Sequence, residues 1–311
     1  MKHLPWLILS GLVVLAFAEP GWSARCTTDA NARAVQEYTH YVETAGSAAA
    51  GGFGNPMAWV PDNVRKQAMA DFESGKPVRQ TINLADTNRR MADWNGTIVH
   101  LIGAIKVREA RIEDLKAVLQ DYDHYSSIYR PLINRCRARP VTAATGSSFE
   151  VEYGFQSVYR AAALFPQNYF FQVKSQADFR EGDGAAGASL SVHSRANEIR
   201  ESDSGVPGQN DFLEPYHDHG ALWALNTYWR ARREGADLYV EFEAITLARS
   251  LRDFACRIGF VPIPKSIVSR VMDSLPVESL DLMLTATKAE CERRVARLSG
   301  DSGGKVNAIP R

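Results

Sequence analysis

Val118-Leu-Gln-Asp-Tyr-Asp-His-Tyr-Ser-Ser-Ile-Tyr-Arg-Pro131 is the stretch at which a helix gives out. Ahead of it, Ile112, Leu115, Val118 and Leu119 recur at the spacing of one buried helical stripe, over a predicted helix from Ile112 to Tyr125. Behind it, strands begin almost at once. A helix that ends in tyrosines and polar residues beside a sheet suits the mouth of a cavity. Asp121, His124 and Tyr125 stand at i, i+3 and i+4, with Tyr129 just beyond, so they can share one side of the helix end. They serve either as a polar gate or as a polar terminus whose tyrosines pack on the sheet, and the residues leave both open.

Working outward, Thr97 to Arg108 reads as a strand, and candidate strands follow near 132–142, 148–159, 168–180, 188–200, 221–232 and 237–249. Alternation assigns their faces. Phe149, Val151, Tyr153 and Phe155 lie opposite Glu150 and Glu152, and Tyr169, Phe171 and Val173 lie opposite Gln172 and Lys174. A two-residue turn at Glu234-Gly235 would pair Tyr228 with Glu241, Asn226 with Glu243 and Trp229 with Val240. That hairpin then has one face of Asn226, Tyr228, Arg230, Tyr239, Glu241 and Glu243, and another of Trp223, Leu225, Thr227, Trp229, Val240, Phe242 and Ala244. Exposing two tryptophans and a phenylalanine would forfeit about 1.5–3 kcal/mol for each, so the aromatic face is expected inward and the charged face in solvent. Were Glu241 and Glu243 buried near Arg230, they could instead form an acid–base site. Ser175, Ala177, Ser194 and Ala196 fall at inward positions, where small side chains leave room for a ligand.

Past the last strand, Pro262-Ile-Pro-Lys-Ser-Ile-Val268 precedes a helical segment. Pro276 is expected to break or kink it, and Leu280, Met283, Leu284 and Cys291 continue one apolar stripe with Thr287 as its polar member.

The Val118–Pro131 stretch resembles the aspartate–tyrosine segment after the first strand of START-like helix-grip (SRPBCC) proteins, in the coenzyme-Q-binding and polyketide-cyclase-like branches. Leu225-Asn-Thr-Tyr-Trp-Arg230 with Val240-Glu-Phe-Glu243 looks like the last strand pair of the coenzyme-Q-binding branch. Ile263-Pro-Lys-Ser-Ile-Val268 is similar to the entry into the C-terminal helix of lipid-transfer START domains. The resemblance spans roughly residues 97–297. It implies an α+β helix-grip fold, a curved antiparallel sheet wrapped around a long C-terminal helix, with an apolar pocket between them.

Residues 27–95 have no counterpart in that pattern. Asn31–Glu43 and Asn63–Glu73 read as helices, separated by the Ala48–Pro56 break. Met1-Lys-His and the apolar run Leu4–Ala18, ending in Ala16-Phe17-Ala18, have the form of a secretory signal. About 15 apolar residues fall short of the roughly 20 that a spanning helix needs. The expected organisation is a signal peptide over 1–18, a helical N-terminal extension over 19–95, a ligand-binding domain over 96–298 and a tail over 299–311. The mature protein is expected in the periplasm or secreted. In that compartment Cys26, Cys136, Cys256 and Cys291 could form two disulfides or stay as buried thiols. No two of them lie close enough for a zinc motif.

The composition, 45% hydrophobic and 23% charged over 311 residues, is that of a folded chain with ample core. Lys+Arg and Asp+Glu both number 36, so there is no net field to draw in nucleic acid. Gly182-Asp-Gly-Ala-Ala-Gly187 matches a dinucleotide fingerprint literally, but strands flank it on both sides and it reads as a hairpin loop. His217 and His219 could share one side of an extended chain, yet no third metal ligand is evident. No cofactor and no metal are expected. The long 201–220 loop is a candidate pocket cover.

These readings converge on a carrier for a lipid, quinone or similar hydrophobic small molecule. Tyr153, Phe171, Trp223, Trp229 and Phe242 would form its wall, and Tyr125, Tyr129, His193 and His219 its polar end. Strict alternation counts against His193, because turning Ser194 inward turns His193 outward. Transient membrane contact is compatible with a carrier, and the oligomeric state is left open. The alternatives are a cyclase- or dehydratase-like enzyme using polar cavity groups and a protein-interaction module.

Overall fold

The computed structural model describes residues 27–50, 57–141, 147–159, 167–184, 187–250 and 265–302. In chain order these form β1 (Thr28–Asp29), α1 (Ala32–Ala50), α2 (Asp62–Glu73), β2 (Val78–Thr81), α3 (Ala85–Met91), β3 (Gly96–Val107), α4 (Ile112–Leu119), α5 (Tyr125–Ile128), β4 (Ile133–Val141), β5 (Ser147–Tyr159), β6 (Gln167–Gly184), β7 (Gly187–Glu201), β8 (His217–Asp218), β9 (Ala224–Glu234), β10 (Asp237–Arg249) and α6 (Lys265–Ser302). The expected signal peptide, the tail from 303 onward, Cys26, Cys256 and most of the Ala48–Pro56 break lie outside the described residues. So do the two central positions of the Gly182–Gly187 loop, whose flanks pair Gly184 with Gly187 as a hairpin.

Eight strands form one antiparallel sheet in the order β2-β3-β10-β9-β7-β6-β5-β4, while β1 and β8 pair separately. Its inner face packs on α4 and α6. Leu101 and Ile105 of β3, Trp229 of β9 and Phe242 of β10 share one core with Leu115 and Val118 of α4 and with Leu280 and Leu284 of α6. At Gly103 α6 comes close to the sheet. A Cβ there would stand 2.6 Å from Leu280 Cδ2 and 2.9 Å from Leu284 Cδ1, so a residue without one lets helix and strand touch. This is the α+β helix-grip arrangement. No helix among the described residues is long and apolar enough to cross a membrane.

Three features differ from the sequence reading. The β9–β10 turn is Gly235-Ala236, one position later than expected, so Arg230 pairs with Glu241, Tyr228 with Glu243 and Trp229 with Phe242. Shifting a turn by one residue moves the register by two, which leaves the side chains within β9 and β10 on their expected faces. Second, α6 runs unbroken through position 276. Third, the predicted helix Ile112–Tyr125 stops at Leu119, and a 3-10 turn over Tyr122–His124 leads into the short α5.

The front section is built into the fold. Val78–Thr81 adds an edge strand to β3, Arg79 forms an ion pair with Asp281 of α6, and Lys288 Nζ donates to Gly75 O at 2.8 Å. On the outer face, Tyr38 of α1 and Met91 of α3 bury Ile98, Tyr228, Ile245 and Leu247, and Phe72 of α2 packs with Met57, Val60, Ala104 and Tyr239.

That cover corrects the expectation of a solvated charged face. Arg230, Glu241 and Glu243 are buried. Arg230 Nε donates to Glu241 Oε1 at 2.8 Å, and Nη2 donates to Glu243. Glu243 Oε1 lies 2.7 Å from His100 Nε2, and Tyr41 of α1 joins His100 Nδ1 at 2.6 Å. Trp59 Nε1 and the Tyr239 hydroxyl both donate to Glu241 Oε2, at 2.8 and 2.7 Å. Burial pushes the Glu243 carboxyl upward, but His100 and Arg230 outweigh it and hold the group below the usual range.

Candidate functional site

Between the inner sheet face, α6 and the Tyr122–Tyr125 turn lies a cavity of about 240 Å³. An apolar cavity of about 150 Å³ already stays dry and takes up benzene, so this one has room for a larger apolar molecule. It exists because the strands place Ser175, Ala177, Ser194, Thr227 and Ala244 where bulky residues would have filled the core. Aromatic side chains form much of the remaining wall. Trp229 and Phe242, direct cross-strand partners, meet at a tilt with centroids 4.4 Å apart, and Tyr169 and Phe171 lie parallel at 6.3 Å.

Five of the nine side chains anticipated as ligand contacts line this cavity: Tyr125, Tyr153, Phe171, Trp229 and Phe242. The other four are placed elsewhere. Trp223 lies just before β9 begins, where Gly220 takes φ +79° and the backbone is not yet alternating. Its ring therefore turns to the outer cluster, and its Nε1 donates to Asp218 Oδ1 at 2.9 Å. Tyr129 is fully buried against α6, its hydroxyl 3.0 Å from Thr287 Oγ1. His193 is on the outer face, stacked on Tyr228 at 4.5 Å and bonded through Nε2 to Asn226 Oδ1 at 2.9 Å. There it borders a separate groove of about 840 Å³, lined in part by charged residues, between α1 and strands β6, β7 and β9. His219 is buried in the loop after β8, its Nε2 3.0 Å from Asp203 Oδ1.

The gate residues divide in the same way. Asp121 turns to α6, paired with Arg294, and accepts from His124 Nδ1 at 2.6 Å. Tyr125 faces the cavity while its hydroxyl donates to Leu119 O at 2.6 Å. The 202–220 loop is braced by Asp211, which accepts from Ser202 Oγ at 2.7 Å and Ser204 N at 2.8 Å. Only its exit, Ala221 and Leu222, reaches the cavity. His217 and His219 bond to different carboxylates, Asp29 and Asp203. Cys136 and Cys291 are free thiols, each pushed up to about 12 by burial.

Reading strands alone missed Tyr122 as a wall residue. It follows the last turn of α4, and its ring meets Tyr125 at 5.0 Å and Phe149 at 5.4 Å. Burial raises the pKa of Tyr122 and of Tyr153, so both stay neutral phenols. Among the described residues, no Asp, Glu, Lys, Arg or His lines the cavity.

The sheet, the gripped helix and the apolar hollow between them make up a helix-grip fold. Three solved structures illustrate what the chain is similar to. The Zhui aromatase/cyclase from Streptomyces sp. R1128 is 15% identical over 64% of this chain and 96% of its own, with a TM-score of 0.40. A STAR-related lipid transfer protein from Xanthomonas axonopodis is 10% identical over 67% and 98%, with a TM-score of 0.32. Human STARD10 is 11% identical over 79% and 88%, with a TM-score of 0.34. No family model and no curated protein matches the sequence.

Proposed function

We propose that this protein is a binding or carrier protein that holds a hydrophobic small molecule in the cavity between the sheet and α6, and that it works after export, in the periplasm or outside the cell. The observation that carries the binding reading is the cavity itself. Its wall is aromatic and aliphatic, small residues keep it open, and its polar groups are a few hydroxyls. The export reading is supported by the signal-like form of residues 1–18.

Neither alternative draws comparable support. Acid–base chemistry would need Glu241, Glu243, Asp121 or His193 in the cavity, and all four are engaged elsewhere. An interaction module would present a contiguous apolar patch. The exposed large apolar side chains among the described residues are few: Val64 and Met69 on α2, Val206 and Tyr216 between β7 and β9, and Leu298 on α6.

Native mass spectrometry of detergent-free protein, followed by organic extraction, tests the binding reading. A discrete co-purifying apolar molecule is the expected result. A chain that stays empty, and remains so after incubation with neutral lipid extracts, would overturn it. Export is tested separately, by whether the N-terminus of the protein recovered from the producing cell begins at Glu19.

A further inference from the structure

The charge and the hydrogen-bonding groups of the wall say more about the occupant. Among the described residues, every titratable side chain on it is a tyrosine. A ligand that brought a carboxylate, phosphate or ammonium inside would find no counter-charge there, and an unpaired ion in an apolar site costs far more than a neutral polar group.

The phenols also differ from one another. Tyr125 spends its hydroxyl on Leu119 O. Among the described residues the Tyr122 and Tyr153 hydroxyls have no hydrogen-bond partner, although both residues line the cavity. They belong to one end of it: Tyr153 lies opposite Cys136 in the β4–β5 ladder, and Cys136 is within electrostatic range of both. Two phenol donors left open in a largely apolar wall mark a place where an acceptor can be held.

Resting on the carrier reading above, we infer that the ligand is uncharged, and that it presents a carbonyl or hydroxyl oxygen to Tyr122 and Tyr153 while its apolar body lies against Trp229 and Phe242. Free fatty acids and charged headgroups are excluded from the interior. A ketone, quinone, ester or alcohol of apolar framework fits.

A matched pair of fluorophores tests the charge: neutral N-phenyl-1-naphthylamine and 8-anilino-1-naphthalenesulfonate, which differ chiefly by one sulfonate. The neutral probe is expected to bind saturably and the sulfonate at least about 100-fold more weakly. Sulfonate binding of equal strength, weakened by Trp229→Ala, would place an anion in the cavity and overturn the inference while leaving the carrier reading intact. Binding of neither probe would remove the carrier reading and the inference with it.

The oxygen is tested with 6-propionyl-2-dimethylaminonaphthalene, a neutral ketone whose emission shifts red when its carbonyl accepts a hydrogen bond. In the double variant Tyr122→Phe, Tyr153→Phe, bound probe should emit to the blue of wild type and bind about 5- to 50-fold more weakly, a larger loss than that of neutral N-phenyl-1-naphthylamine, which has no carbonyl. Unchanged emission and affinity for the ketone would overturn the phenol assignment.

Discussion

Trp229 owes its place to a two-residue period. Leu225, Thr227 and Trp229 alternate with Asn226, Tyr228 and Arg230 along β9, and the first set faces α6. Trp229→Ala would enlarge an existing hollow and remove the ring packed on Phe242. Truncating a buried aromatic costs about 3–5 kcal/mol, so the variant should melt earlier and bind the neutral fluorophore more weakly. Unchanged binding by a folded variant would exclude Trp229 from the site. Two buried carboxylates titrate in opposite senses. Burial raises Asp218 to about 6, ahead of the lowering contacts from Gly220 N and Trp223 Nε1. The folded state thus holds its proton more tightly than the unfolded chain. Asp218 contributes stability that is fully present below about 3.9 and lost as pH climbs through about 6, up to about 3 kcal/mol. Asp218→Asn should flatten that part of the stability-versus-pH curve in denaturant titrations, and an unaltered slope would count against the assignment. Glu243, held low, does the reverse: its contribution is present above about 4.3 and lost as pH falls through its lower folded value. Glu243→Gln leaves Arg230 and His100 short of their shared partner. A loss on the order of 3–5 kcal/mol is expected, measured by chemical denaturation at pH 7.

Elements hold the cavity open as much as residues line it. Helix α6 crosses the sheet at Gly103, so the depth of the hollow depends on how closely those two backbones approach. Gly103→Val should push Leu280 and Leu284 away from β3, lower stability by about 1–3 kcal/mol, and change affinity for the neutral fluorophore although the residue does not line the cavity. An unshifted melting temperature would show that α6 yields without cost. Strand and helix limits were largely legible in the sequence, because alternation and the 3.6-residue stripe are local patterns: β10 begins at Asp237 and ends at Arg249 where expected. Val78–Thr81 was not legible. Val-Arg-Gln-Thr has little strand character of its own, and it becomes a strand because the edge of β3 offers unpaired backbone groups.

At the scale of the molecule, the front section makes this sheet two-sided. Tyr38, Met57, Trp59 and Phe72 cover Glu241, Glu243, Tyr239, Ile245 and Leu247, which would otherwise form a broad, partly apolar outer surface. A chain that starts at residue 96 should therefore be aggregation-prone and much less stable than one that starts at 27. Sedimentation and thermal melts of the two would show it, and equal behaviour would make residues 27–95 a mere appendage. The sequence by itself determined most of the elements from β3 onward, their order and which side of each of those strands is greasy, since these follow from neighbours a few residues apart. It also identified five of the side chains that meet in the cavity. Alternation already turned His193 outward, but only the tertiary structure decided that the charged face of β9 and β10 is buried, that Trp223, Tyr129 and His219 turn away from the cavity, and that Tyr122 joins it. Those outcomes depend on which surfaces α1, α2 and α6 come to cover, a choice made by contacts between residues far apart in the chain, which no local period encodes.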